Sequence, residues 1–476
     1  QSKMRYLWTV RVSDNHGNTA TATSSFETGL LSESDWSAKW VKAHRRGKKG
    51  KPGFGKQQPA TLFRKQFALK DKPVKARLYA TCHGTYELYL NGSRADSRLL
   101  APEHTVYEKY LCYQTYDVTE QLTEGSNAIG MHVGDGWYLC PQSLPNMKKM
   151  DYAHAILFQL EITYPDGSMD MIISDEDVKC SNGPVLSADL YAGEYYDANK
   201  QIKNWNCADF MDSGWTSCME ANYGYENLVS QIGEPVVIVK ELPVSRLTKS
   251  PKGEWILDFG QNIAGYVKLS VKGEKGAKCR MVCGEKLDTN GNFTVENIAW
   301  KANYDTCRFQ SVDFVCDGVR HDYKPKFTIM GFRYVLLLDW PEDVDAGRFS
   351  AIAVYTDMDT TFSFTSSDAM LNRIVKNTFW SVKGNFMDVP TDCPTRERAG
   401  WTGDAQLFFN TGNYMMDQRA FFRKWMRDVA DCQKGNGLVY NVNPTGGKKS
   451  GLIEWISMEG SAGWGDAMVT IPYYFW

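Results

Sequence analysis

The sequence predicts a multidomain β + α protein in which β-sandwich domains are followed by a helical domain. Three observations predict it. Alternation of apolar and polar residues at period two, broken by turn signals, recurs to about residue 352. The period then changes to that of amphipathic helices. The chain has 476 residues, more than one hydrophobic core can serve, so several domains are required.

Residues 1–29 read as the last two strands of an immunoglobulin-like or fibronectin-like sandwich. Tyr6, Trp8, Val10 and Val12 alternate, and Asn15-His16-Gly17 supplies a turn before a second strand ending near Phe26. Residues 30–58 form a linker, in which Trp36 and Trp40 are expected to be pinned against a neighbouring domain. Residues 59–232 carry LFRKQFAL, ARLYATCHG, YELYLNG, NAIGMHVGDGWYL and HAILFQLEITYPDG, a jelly-roll pattern with a Pro-Asp-Gly hairpin signal. A second β-sandwich is predicted over 233–352, with WILDFGQNIAGYVKLSV, CRMVCGEKLD and FTIMGFRYVLLLDW. The helical domain occupies 353–476. Ser366-Ser367-Asp368 can cap a helix over AMLNRIVKNTFWSVKGNFM. Gly403-Asp404 opens a single long helix through Cys432, and SAGWGDAMVTIPYYFW starts another. Both ends read as internal, the first inside a strand pattern and the last inside an apolar helix.

Charge and composition narrow the function. The chain has 54 basic and 56 acidic residues, a net charge of −2 that offers no basic face for nucleic acid. The basic run from His44 to Lys56 is rich in Gly and Pro and reads as a solvated loop. No run of ~18 apolar residues is present, so no membrane span is expected. Twelve cysteines form no C-x-x-C pair and no zinc-like spacing with histidine. Cys279 and Cys283 alternate within a strand and read as core thiols. The count leaves the redox compartment open. No metal and no cofactor is called for. Aromatic residues make up 13% of the chain, with 15 Trp and 25 Tyr, which suits both sandwich cores and stacking on sugar rings.

Chemistry concentrates in D-C-P-T-R-E-R-A-G-W-T-G-D, residues 392–404. Asp392, Glu397 and Asp404 lie there with Arg396, Arg398 and Trp401, in a proline-containing segment between two helices. Three carboxylates so close cannot all ionise freely, so at least one pKa should rise, which prepares a general acid. Asp404 at a helix start is also favourable for dipole reasons alone. All seven histidines lie at or before His321, so the helical segment has none for a Ser-His-Asp triad or a His-based metal site. A G-x-x-x-x-G-K-[ST] phosphate loop is also missing. Carboxylate-only acid–base chemistry on a neutral, hydroxyl-rich substrate remains, and glycoside hydrolysis fits it.

DVPTDCPTRERAGWTGDAQ resembles the signature of the bacterial α-L-rhamnosidases, commonly D-C-P-Q-R-x-E-R-x-G-W-T-G-D-A-Q. YELYLNG, YQTYDVT, GSNAIGMHVGDGWY, DFGQNIAGYV, FTIMGFRYV and GSAGWGDA follow in the family's order, so the resemblance covers nearly the whole chain. It implies that residues 353–476 are the first part of an (α/α)6 barrel with the sugar at its mouth. By motif position Glu397 is the general acid of an inverting reaction and Asp404 orients sugar and neighbours. Asp392 and Arg396 bind rhamnose hydroxyls, while Trp401 and Trp464 pack on the ring and its methyl group. The chain is one residue shorter than the common spelling between the motif Arg and Glu, and counting back from Asp404 keeps Glu397 in register.

An inverting enzyme needs a base roughly 6.5–9.5 Å from the acid, on the opposite face of the sugar. In the family this is a later Glu. Glu454 and Glu459 precede the GWGD segment and are not assigned to it, so the base is expected outside this chain. A calcium site in the first sandwich is not expected, because Leu90 and not an acid precedes Asn91. The implied partner is an L-rhamnose-containing oligosaccharide or glycoside, met by a secreted or periplasmic enzyme, with a cytoplasmic one possible. Two alternatives stay open: a rhamnose–uronate lyase using Arg396 and Arg398 against the uronate, and a non-catalytic carbohydrate-binding protein.

Overall fold

The computed structural model describes residues 1–44, 58–139, 153–298, 309–445 and 460–475. Most of the basic run, together with Glu454 and Glu459, lies outside the described residues.

Strands Arg5–Ser13 and Thr19–Glu27 pair antiparallel, from Arg5 opposite Glu27 to Ser13 opposite Thr19. The Asp14 carboxylate accepts the backbone N–H groups of His16 and Asn18, both at 2.9 Å, and Gly17 takes φ +82° to close the turn. The linker is more than a spacer. Trp36 and Trp40 are buried, and Val41–Lys42 pairs with Ala155–Ile156 on one side and Met219–Glu220 on the other. Part of the segment predicted as linker is therefore a strand of the next domain.

That domain stacks a seven-stranded and a six-stranded sheet. Its central strand, Ala155–Thr163, is buried over most of its length for a reason the alternation supplies. Ile156, Phe158, Leu160 and Ile162 fill the sandwich, whereas Ala155 and Leu157 face a second cluster with Trp36, Trp40, Tyr79 and Tyr113. The second cluster extends through Leu190, Tyr191, Ala264, Ile329 and Val354 to Met387, so it joins both β domains to the helical segment.

The second β domain is a ten-stranded sheet built around the 17-residue strand Trp255–Val271. Its register shifts between Asp258 and Ile263. Before the shift it pairs with Arg246–Lys249, and after it with Phe349–Thr356 and His321–Tyr323, the bent-strand device that turns a corner in a sandwich. One hairpin departs from the predicted boundary at 232. Val185–Asp189 and Gly193–Asp197 belong to this sheet, because Gly193–Asp197 pairs parallel with Ser311–Val315. Gly193 permits the approach: at φ +115°, an added Cβ would lie 1.8 Å from the Ser311 carbonyl oxygen.

The helical segment opens with α1, Ala369–Asn385, capped by the Asp368 carboxylate, which accepts the N–H groups of Met370 and Leu371. It lies against strands Trp255–Val271 and Phe349–Thr356. The single helix predicted to Cys432 is instead two, α2 (Thr402–Met415) and α3 (Arg419–Cys432). The break is a polar cap. Met416 turns extended, and the Gln418 side chain donates to the Phe409 carbonyl and to Asn413, both at 2.7 Å, while packing where a side chain on Gly412 would stand. Phe409, Phe422, Trp425 and Val429 form the interhelical core with Ala467 and Ile471 of α4, Ala467–Phe475. No described helix is long and apolar enough to cross a membrane.

Candidate functional site

The motif loop leaves α1 through a short antiparallel pair, Phe386–Met387 with Val389–Pro390, which turns at Asp388 with φ +66°. Thr391 then binds back to the Asn385 carbonyl through both its N–H (2.7 Å) and its hydroxyl (2.9 Å). Asp392 closes the loop on Ala399. Its N–H donates to the Ala399 carbonyl at 3.1 Å, and its carboxylate accepts the Ala399 N–H at 3.0 Å. Glu397 sits within that closed loop, its own N–H donating to Cys393 Sγ at 3.3 Å.

The far side of the loop is clamped against residues 441–443. Asn443 N–H donates to the Gly400 carbonyl and Thr402 N–H to the Asn441 carbonyl, each at 2.8 Å. A Cβ on Gly400 would fall 1.9 Å from the Asn443 carbonyl oxygen, so only glycine fits there. Trp401 caps α2, which leaves Asp404 in the first turn, where a carboxylate suits the helix dipole.

Within this frame the predicted side chains converge. Trp401 Nε1 donates to Glu397 Oε2 at 2.9 Å, and Arg396 Nε lies 3.4 Å from Glu397 Oε1. Trp464 meets Trp401 edge to face, with ring centroids 6.5 Å apart, and covers the first turn of α2 so closely that an added Cβ on Gly403 would touch its indole. Asp392 and Asp404 share the electrostatics of Glu397. Burial, followed by the charges of Glu397 and Asp404, raises the Asp392 carboxyl to about 6 against the hydrogen bond from Ala399. The Asp404 carboxyl is raised too, first by lost hydration and then by Glu397. The expected rise of at least one carboxyl thus falls on both aspartates. The arrangement can hold one carboxyl group in a fixed direction by an indole that packs on a second, with further carboxylates nearby that can accept hydroxyl hydrogens.

Two supports have roles that the sequence did not assign. Arg398, at φ +47°, is buried and turned away from the other motif side chains. Its guanidinium donates to the carbonyls of Thr395 (2.8 Å), Leu190 and Ile329 and to Gln310 Oε1 (3.0 Å), and it lies 5.0 Å from the Tyr191 ring centre. One side chain thereby ties the motif loop to the second β domain, whose sheet includes the hairpin that turns at Leu190 and Tyr191. Beneath the loop, buried Lys424 sits 3.2 Å from Asp428 and 3.5 Å from Asp388, and its ammonium donates to the His104 carbonyl. Glu103 completes this group, its carboxyl pushed up to about 8 by burial and then by the charge of Asp388. The i, i+4 pair Lys424 and Asp428 was the available signal, although it reads equally as a surface helix pair.

Comparison with known proteins places these features in a family. Residues 71–240 match the model of the alpha-L-rhamnosidase N-terminal domain, 248–355 the bacterial alpha-L-rhamnosidase concanavalin-like domain, and 359–476 the bacterial alpha-L-rhamnosidase 6 hairpin glycosidase domain. A curated alpha-L-rhamnosidase of Streptomyces avermitilis is 38% identical over 417 residues, 87% of this chain and 39% of that protein. The solved alpha-L-rhamnosidase of Dictyoglumus thermophilum superposes with a TM-score of 0.88 at 32% identity, covering 100% of this chain and 53% of that one. A Streptomyces avermitilis alpha-L-rhamnosidase complexed with L-rhamnose gives 0.88 at 28% identity, covering 100% and 61%. The chain thus spans about half the length of the relatives it matches. Three contiguous family domains in one order, with the motif loop at their junction, show that this chain belongs to the bacterial α-L-rhamnosidase family.

Proposed function

We propose that the protein containing this chain hydrolyses terminal, non-reducing α-L-rhamnose from glycans or glycosides with inversion of configuration. Glu397 is the general acid that protonates the glycosidic oxygen, and the general base comes from outside these residues. Asp392 and Arg396 bind sugar hydroxyls, Asp404 orients the sugar and its neighbours, and Trp401 and Trp464 pack on the ring and its methyl group. The observation that carries the reading is the hydrogen bond by which the Trp401 indole holds Glu397, within electrostatic reach of Asp392 and Asp404. The rhamnosidase complexed with L-rhamnose supports the substrate class.

The lyase alternative loses one of the two cations offered for it. The Arg398 guanidinium is buried and committed to backbone carbonyls and Gln310, so it is not placed to neutralise a uronate.

The test is hydrolysis of p-nitrophenyl α-L-rhamnopyranoside and of a natural rhamnoside by the full-length protein, beside Glu397→Gln. Activity in the wild type and a loss of about 100-fold or more with the natural rhamnoside in the variant is expected, the usual range of a general acid's contribution. A wild type inert on both substrates overturns the hydrolase reading. An unimpaired variant overturns the role of Glu397.

A further inference from the structure

Beside the motif loop lies a second concavity with different chemistry. It is a cleft of about 480 Å³ between the bulge of the long strand and α1, with Pro394 of the motif loop at one end. Its size falls within the roughly 300–1,000 Å³ of small-molecule sites.

One wall is built rigidly. Asp258 accepts two hydrogen bonds from Arg333, at 2.8 and 2.9 Å, and one from the Gly260 N–H at 2.7 Å, which fixes both the bulge and the arginine's direction. Gln261, in the bulge, has a buried Nε2 with no hydrogen-bond partner among the described residues. Glu285 is a carboxylate in this wall, and it already accepts amide hydrogens from Asn262 (3.4 Å) and Asn297 (3.1 Å). The other wall is α1. Half-buried Trp380 gives it an apolar base, and Lys376 and Arg373 stand one and two turns before it on the same face. Neither cation has a carboxylate partner among the described residues.

An unmet amide donor, a fixed guanidinium, two free cations and an indole form a donor-rich recess suited to an acidic, hydroxylated ligand. We propose that this cleft binds an acidic sugar, carrying a carboxylate or a sulfate ester, of the same glycan that presents its terminal sugar to the motif loop. The sugar part rests on the carbohydrate function proposed above, whereas the charge preference stands on the cleft alone.

Calorimetric titration of the full-length protein with methyl β-D-glucuronide, methyl β-D-glucoside 6-sulfate and neutral methyl β-D-glucoside tests it, beside the Arg373→Gln/Lys376→Gln variant. At least one acidic probe is expected to bind about five- to tenfold more tightly than the neutral one, the range two exposed cations support. The tighter of the two acidic probes identifies the charge. In the variant the preference should fall below about twofold. Both residues are exposed, so the variant should keep the wild-type unfolding midpoint. Equal affinity for charged and neutral probes, a preference that survives in the variant, or no saturable binding of any probe overturns the proposal. Binding is read without catalysis. A failed rhamnoside assay with the preference intact refutes the hydrolase reading, and an active enzyme without the preference refutes the cleft.

Discussion

Replacing Arg398 by methionine tests whether one buried guanidinium holds the motif loop in place. Methionine keeps an apolar stem of similar reach, so the change isolates the charged head. Four hydrogen bonds disappear, to Thr395, Leu190, Ile329 and Gln310. Bonds from a charged donor contribute about 1.5–3 kcal/mol each, but members of one network are not additive. The acceptors left buried are carbonyl oxygens, which tolerate under-satisfaction better than donors. A loss of about 4 kcal/mol in the stability of the loop follows, within the range for breaking a buried charged network. A chain of several domains has no single unfolding free energy, so the assay is amide hydrogen exchange in the native state. The reporters are the N–H groups of Asp392 and Ala399, which bond across the loop. Protection should fall about a thousandfold at both, since each 1.4 kcal/mol is a factor of ten. Arg398→Gly should lose less than Arg398→Met by about 1 kcal/mol, because glycine adopts φ +47° without strain. A drop in protection below about fivefold in the methionine variant would refute the clamp.

Two further outcomes follow from the site. Asp392 has a folded pKa near 6, above its unfolded value of about 3.9, so its contribution is fully present below pH ~4 and lost as pH rises through 6. Asp392→Asn keeps an acceptor for Ala399 and should therefore hold the loop more stably than wild type at pH 7.5, by about 1–2 kcal/mol, with no gain at pH 4; native-state exchange of the Thr402 N–H at the two pH values reads the difference, and equal gains at both would contradict it. Trp401→Phe keeps an aromatic ring and removes the indole hydrogen bond to Glu397. Its kcat should fall about 10-fold or more on a rhamnoside with a poor leaving group and much less on the nitrophenyl substrate, because only the former depends on proton donation.

What could be read in advance followed local rules. The change of period near residue 360, the Asp368 cap and the hairpin turn at Gly17 are each encoded within a few residues, and the structure has them there. The motif's side chains were likewise legible because they are close in sequence and share one loop. Pairing between distant segments was not. The hairpin at Val185–Asp197 has the same alternation whichever sheet it joins, and only its parallel partner at Ser311–Val315 decides the matter. The helix break at Met416 depends on where the Gln418 side chain turns, and an apolar stripe cannot show that. Arg398 reads in the sequence as one more charge near an active site; its burial under Tyr191 and Gln310 comes from two segments of the second β domain that are distant in sequence.

That parallel pairing has a consequence for how the chain is made. Gly193 leaves the ribosome well before Ser311, and the strand at Gly193–Asp197 must wait for its neighbour while its edge groups stay unpaired. The first sandwich can close earlier, because its central partners lie between residues 61 and 163. Nascent chains stalled after residue 232 would therefore carry a finished jelly roll with a dangling hairpin. Chains released past Val315 could seal it, so the two β domains mature in sequence and are ill suited to being exchanged as separate cassettes.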